Sequence, residues 1–284
     1  MRFCCFALWV LVSVGPTVAG NAESLLQELV SAGVTVEIVE QAGLNRRPGT
    51  RHLAEVGEKQ LVRDLARISK SSALEEAYIH LDSKVALETG VMERFEITTS
   101  DCLVRATVRS SITVGLLAKM SSGLPEDLVW YHVHPSRNII NERFRAKRCT
   151  PPNTWPVLPS SADFSQFMKR AKRYYAAKPN GRYRDRIVID PVGVIELSLT
   201  DVGRAAIGEF RHRNNYDTQE YGNDSMPGHS IWPQKYIQRL NMLIDRIPKA
   251  GPQLDRNIKR AVDLLSSDAV RVAFIPMSVF RAAP

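Results

Sequence analysis

His132 and His134 stand one residue apart at the end of an apolar run, and Asp163 follows in the sequence Ser160-Ser161-Ala162-Asp163. Two imidazoles and a carboxylate suit a single metal ion: zinc takes nitrogen at about 2.0–2.1 Å and carboxylate oxygen at about 2.0–2.2 Å. Three protein ligands leave a tetrahedral ion one position for water, which is the open geometry of a catalytic site. Each residue also has an ordinary reading. Histidines in a strand can simply pack, and an acid in a first helical turn complements the helix dipole.

For the three side chains to meet, a strand and a helix must present them. Leu128-Val129-Trp130-Tyr131-His132-Val133-His134 is apolar, β-branched and aromatic, which predicts a strand, and Pro135, lacking an N–H, ends it. Side chains two apart on a strand share a face, so both rings point the same way. Ser160 or Ser161 is a good N-cap, and Phe164, Phe167, Met168, Ala171 and Tyr175 recur at helical spacing, which puts Asp163 in the first turn. Arg186-Ile187-Val188-Ile189 and Val194 to Leu199, around an Asp190-Pro191-Val192-Gly193 turn, predict a hairpin. Upstream, the pattern predicts a helix near His52 to Ser71, a strand over Glu75 to Asp82, a return strand from Val85 towards Ile97, and a helix starting near Thr99 or Ser100.

His-Val-His-Pro followed by Ser-Ser-Ala-Asp resembles the JAMM motif of the MPN/JAB-domain metalloproteases: a distant Glu, then His-x-His-Pro, then Ser-x-x-Asp. The resemblance covers about Arg51 to Thr200 and rests mainly on four residues. It implies an α/β fold, an MPN/JAB-like mixed sheet with cytidine-deaminase-like layering and flanking helices, here with a helical C-terminal extension. It also implies zinc on His132, His134 and Asp163, with Ser160 helping to stabilise the oxyanion. The family's remaining residue is a glutamate that holds the zinc-bound water, at the start of a strand after the first helix. Glu76 matches that place best, with Glu75, Glu88, Glu93 and Glu96 as competitors. The implied reaction is amide hydrolysis, because zinc lowers the pKa of water from about 15.7 towards about 7 and the glutamate moves its proton. JAMM enzymes often cut isopeptide bonds to ubiquitin-like tails; other members cut ordinary peptides, and some have lost the metal and only bind. A non-catalytic MPN-like binding or scaffolding domain is therefore the alternative, and a zinc hydrolase of a non-peptide bond is a third reading. One stretch departs from the family: Ser136 to Pro159 is much longer than its usual loop.

The flanks bear on the substrate. Met1-Arg2, the apolar run Phe3 to Val14, and then Pro16 with the small residues Val18-Ala19-Gly20 predict a signal peptide over residues 1–20, with Gly20 or Ala22 the last residue removed. A periplasmic or secreted protein is expected, with no stable membrane span after cleavage. Export makes ubiquitin-like proteins poor substrates and favours secreted proteins, peptides or cell-wall peptide stems. Cys102 and Cys149 would then share an oxidising compartment as a possible disulfide, or stay unpaired if their Cα atoms lie more than about 7 Å apart. The formal charge of +8 and the 44% hydrophobic content fit an ordinary folded chain. Arg137, Arg143, Arg145, Lys147 and Arg148 crowd the long segment, which reads as a solvated loop or as a proline-stiffened lid attracting acidic substrates. No nucleic-acid-binding motif accompanies the charge. The predicted organisation is a signal peptide (1–20), an N-terminal extension (21–50), the JAMM/MPN-like domain (51–200) and a C-terminal extension packed on it (201–284). That extension holds a polar loop from Arg211 to Gln234, helices over Lys235 to Ile247 and Leu254 to Leu265, and a strand over Val270 to Ile275. His52, His80, His212 and His229 are read as packing or surface residues, although His80 sits where it could approach the site.

Overall fold

The computed structural model describes residues 19–39, 51–71, 76–97, 104–110, 112–120, 123–150, 157–211, 237, 239–241 and 252–281, with the backbone alone for residues 19–23, 76, 90–97 and 104–110. In chain order the elements are α1 (Ala19–Ser31), β1 (Val36–Ile38), β2 (Arg51–Glu55), α2 (Glu58–Ser71), β3 (Glu76–Leu81), β4 (Val85–Ile97), β5 (Val104–Ser110) and α3 (Val114–Leu117). There follow β6 (Asp127–Val133), α4 (Arg137–Ala146), α5 (Ser161–Ala177), β7 (Arg182–Ile189), β8 (Gly193–Leu199), α6 (Asp201–Ala206), α7 (Pro252–Leu265) and β9 (Val270–Pro276).

The strands form one mixed sheet in the order β1-β2-β4-β3-β6-β7-β8-β9, with β5 paired to β4 off that path. The histidine strand β6 lies inside it, antiparallel to β3 and parallel to β7. A parallel pair needs a crossover, and α5 supplies it. Alternation divides the sheet's side chains between two apolar layers. Leu53, Ala77, Ile79, Leu87, Trp130 and Ile187 meet Phe164, Phe167 and Met168 of α5 on one face. Tyr78, Ala86, Val129, Tyr131, Val133 and Val188 meet Leu61, Leu65 and Ile68 of α2 on the other. Phe167 is wholly buried, and burying one such side chain contributes about 1.5–3 kcal/mol. Leu25 and Leu29 of α1 and Leu254, Ile258 and Val262 of α7 join the α5-side layer, so segments before and after the motif region share its core. In the β7–β8 turn, Gly193 has φ +146°, and an added Cβ would collide with the Ile275 carbonyl of β9; only glycine closes this hairpin against the edge strand.

Three expectations change. His52 to Ser71 is not one helix: Arg51–Glu55 is a strand, parallel to β1 and antiparallel to β4, and α2 starts only at Glu58. Gly57, between the two, marks the break. Thr99 and Ser100, where a helix is expected to start, lie outside the described residues, but the residues that would continue it form β5, in whose sequence Val104, Ala106 and Val108 alternate with Arg105, Thr107 and Arg109. The segment after Pro135 is not a loop throughout, because α4 occupies Arg137–Ala146, with Phe144 and Cys149 buried together. Residues 1–18 and 212–236, including His212, His229 and most of the predicted signal peptide, lie outside the described residues. Among the described residues no helix is long and apolar enough to cross a membrane.

His80 lies on the α2 face, away from the face that carries His132. Its Nε2 is 2.8 Å from the Val56 carbonyl oxygen, and its ring meets Tyr131 edge-on at 6.2 Å. Burial, the strongest influence, lowers its pKa below 6.5, against the Val56 hydrogen bond and Glu58, which raise it. The unfolded chain therefore takes up a proton that the fold refuses, so this stabilisation is complete above about pH 6.5 and declines as pH falls below it. Urea unfolding at about pH 7.5 and about pH 5.5 should show a lower midpoint in acid, and a smaller drop for His80→Gln.

Candidate metal centre

Both histidines project toward α5. His132 pairs with Ala77 of β3 and Ile187 of β7, whose side chains belong to the α5-side layer. His134 follows the end of β6, where its N–H still donates to the Val188 carbonyl at 3.0 Å. The two Nε2 atoms are 3.1 Å apart, His132 Nε2 is 3.3 Å from Asp163 Oδ1, and His134 Nε2 is 3.7 Å from Asp163 Oδ2. One ligand atom from each residue lies within 4.8 Å of the others, so the three could hold a metal ion. Their side chains are 12%, 10% and 19% exposed, which leaves an approach from solvent. Tetrahedral bonds near 2.05 Å imply ligand separations of about 3.3 Å. The Nε2–Nε2 and His132–Oδ1 distances lie near that value, while the 3.7 Å contact of His134 is to the other oxygen, Oδ2. His134 Nδ1 is buried with no hydrogen-bond partner among the described residues.

Asp163 reaches this place because of how α5 begins. Ser160 is the N-cap: its Oγ accepts the Asp163 N–H at 3.2 Å, and its own N–H donates to Asp163 Oδ2 at 2.7 Å, a reciprocal capping box. The Ser160 hydroxyl also donates to Oδ2, at 2.8 Å. Oδ2 is thus held by two donors while Oδ1 is turned toward His132. Burial works against ionisation of Asp163 and is the largest single influence, yet the His132 hydrogen bond, the charges of both histidines and the Ser160 N–H together hold its carboxyl well below the usual range. A hydroxyl has one proton to give. Here Ser160 spends it on the carboxylate, so donation to a substrate oxyanion requires the hydroxyl to turn.

The glutamates expected to compete for the role of base sort differently. Glu76 starts β3, one residue before Ala77, whose backbone pairs with His132, so strand alternation puts position 76 on the face of Tyr78 and His80, opposite His132. Glu88 is removed from contention: it pairs with Tyr78 on the α2 side of the sheet and is buried beside His52, with Oε2 3.3 Å from Nδ1. Glu93 and Glu96 lie in the part of β4 that runs on past β3 with β5. Glu75 lies outside the described residues.

The surroundings add groups with no local sequence signature. Arg170, on α5, lies 4.6 Å over the Trp130 ring, pairs with the fully buried Asp185, and donates Nε–H to Tyr183 Oη at 3.1 Å. Its partners come from β6 and β7, so only the folded crossover unites them. Cys149 is disulfide-bonded; Cys102, its expected partner, lies outside the described residues. Arg143, Arg145, Lys147 and Arg148 are exposed along α4 and just after it. Beyond residues 151–156, which are not described, the Val157 and Leu158 N–H groups donate to Asn241 Oδ1 at 3.1 and 3.0 Å, fixing the approach to Ser160. Compared with protein-family models, curated proteins and solved structures, the chain matches none.

Because Ser160 both caps α5 and orients Asp163, Ser160→Ala should lower stability by about 0.5–2 kcal/mol. Urea unfolding of the metal-free protein measures this, with Ser160→Asp, which restores a capping acceptor, expected to recover part of the loss.

Proposed function

We propose that the chain is a zinc-dependent metallopeptidase of JAMM type that cleaves a peptide or isopeptide bond and acts after export from the cytoplasm. The observation that carries this reading is the convergence of His132, His134 and Asp163 on edges of 3.1 to 3.7 Å. The order of histidine strand, helix led by Ser160 to Asp163, then hairpin resembles that of JAMM domains. When bound, zinc supplies Lewis acidity that makes water a nucleophile near neutral pH.

The chain's own residues do the rest. His132 and His134 present Nε2, and Asp163 presents Oδ1 with Oδ2 satisfied by Ser160. A general base would take a proton from the attacking water and return it to the amine as the C–N bond breaks, so the base of the first step is the acid of the second; Glu76, the candidate the resemblance supplies, could do so only by reaching round the start of β3 from the opposite face. Ser160, once turned from Asp163, donates to the oxyanion, a contribution of about 2.7–4 kcal/mol per donor in enzymes that use one. The commitment of the Ser160 proton to Asp163 favours one further reading, a binding or scaffolding domain that keeps the fold without turnover. Exported substrates fit best: peptides, secreted proteins or cell-wall peptide stems.

Glu76→Gln should retain zinc while cleavage of a peptide library or wall-fragment panel falls by about 10²–10⁴-fold. Full activity in that variant would move the base to another glutamate. A zinc-loaded wild type that cleaves no amide in the panel would favour the binding domain, and cleavage of esters alone a non-peptide hydrolase.

A further inference from the structure

Ser69, in the last turn of α2, is fully buried and lies behind the metal-ligand segment. Its Oγ donates to the His134 carbonyl oxygen at 2.7 Å and accepts the Asp190 N–H at 2.9 Å. These directions follow from chemistry alone, because a backbone N–H can only donate and a carbonyl can only accept. The Ser69 carbonyl, one of the helix's orphan acceptors, takes the Ser136 N–H at 2.8 Å. One residue thus grips both sides of His134-Pro135-Ser136 and ties them to the β7–β8 turn. The His134 N–H is held separately by Val188.

A metal-binding histidine is ordinarily aimed by a hydrogen bond on its second ring nitrogen. His134 Nδ1 has no such partner among the described residues. Among the described residues, what fixes its direction is the backbone on either side of it, which Ser69 and Val188 clamp.

We infer that Ser69 is the positioning residue that aims His134 at the metal, acting through the His134 carbonyl rather than through its ring. This rests on the metal reading above. Ser69→Ala leaves the His134 carbonyl and the Asp190 N–H without their partner and frees the segment to shift, while His132 and Asp163 stay on their own elements. Zinc affinity should fall by about 10–100-fold, the range seen when groups that orient metal ligands are removed. Ser69→Thr, which keeps the hydroxyl, should bind more tightly than Ser69→Ala.

The test is zinc affinity by chelator competition on the metal-free full chain, at a temperature where unfolding curves show each variant folded. A purely structural Ser69 would lower the melting temperature and leave the affinity of the folded chain unchanged, and that result overturns the inference. If Ser69→Ala does not fold, Ser69→Cys, with a weak donor and acceptor of similar size, gives the same reading: a several-fold loss supports the inference and wild-type affinity overturns it. A wild type that takes no zinc overturns the proposed function and this inference with it, whereas equal affinities in a zinc-binding pair overturn this inference alone.

Discussion

Asp163 has two oxygens and two obligations, and the site depends on their division. Oδ2 belongs to the helix, where the Ser160 N–H and O–H hold it. Oδ1 faces His132, 3.3 Å from its Nε2. A carboxylate at the third position of a helix normally serves only the cap. Here the helix starts directly over the end of the histidine strand, so one residue can close the cap and complete a triangle of metal donors.

That coincidence requires β6 to be fixed from both sides. On the α5 face, Trp130 lies under Arg170, whose charge is balanced by buried Asp185. On the other face, Arg186 donates to Tyr131 Oη at 2.7 Å and to Glu196 at 2.7 Å, and pairs with Glu58 of α2. His132 follows directly after these two anchored aromatics. Removing Arg170 or Asp185 alone would leave its partner's charge unpaired in the interior, which is far more costly than losing a surface pair. The ionic groups stand behind His132, His134 and Asp163, which could hold a metal ion.

Much of this was legible in local pattern. The bounds of β4 follow from its apolar alternation, the histidine strand from β-branched and aromatic content, and the start of α5 from Ser160 and the spacing behind it. The candidate donors were visible because the strand period puts both imidazoles on one face and Ser160 puts Asp163 in the first turn of the next helix, and the JAMM resemblance joins the three. What escaped depended on pairing. Arg51 to Glu55 carries His52, Leu53 and Ala54, buried in succession by the layers on both faces, and such a run has no strand signature distinct from a helix. Glu88 could be assigned to a face only once its register against Tyr78 was known. Ser69 left no trace because the groups it holds are backbone atoms 65 and 121 residues away.

The central claim is that His132, His134 and Asp163 form one zinc site, and metal content tests it most directly. Purified protein, offered zinc and then freed of excess, should carry about one zinc per chain, and a folded His132→Ala/His134→Ala variant should carry none. A folded wild-type chain that takes up no zinc, or a double variant that retains it in full, would contradict the account.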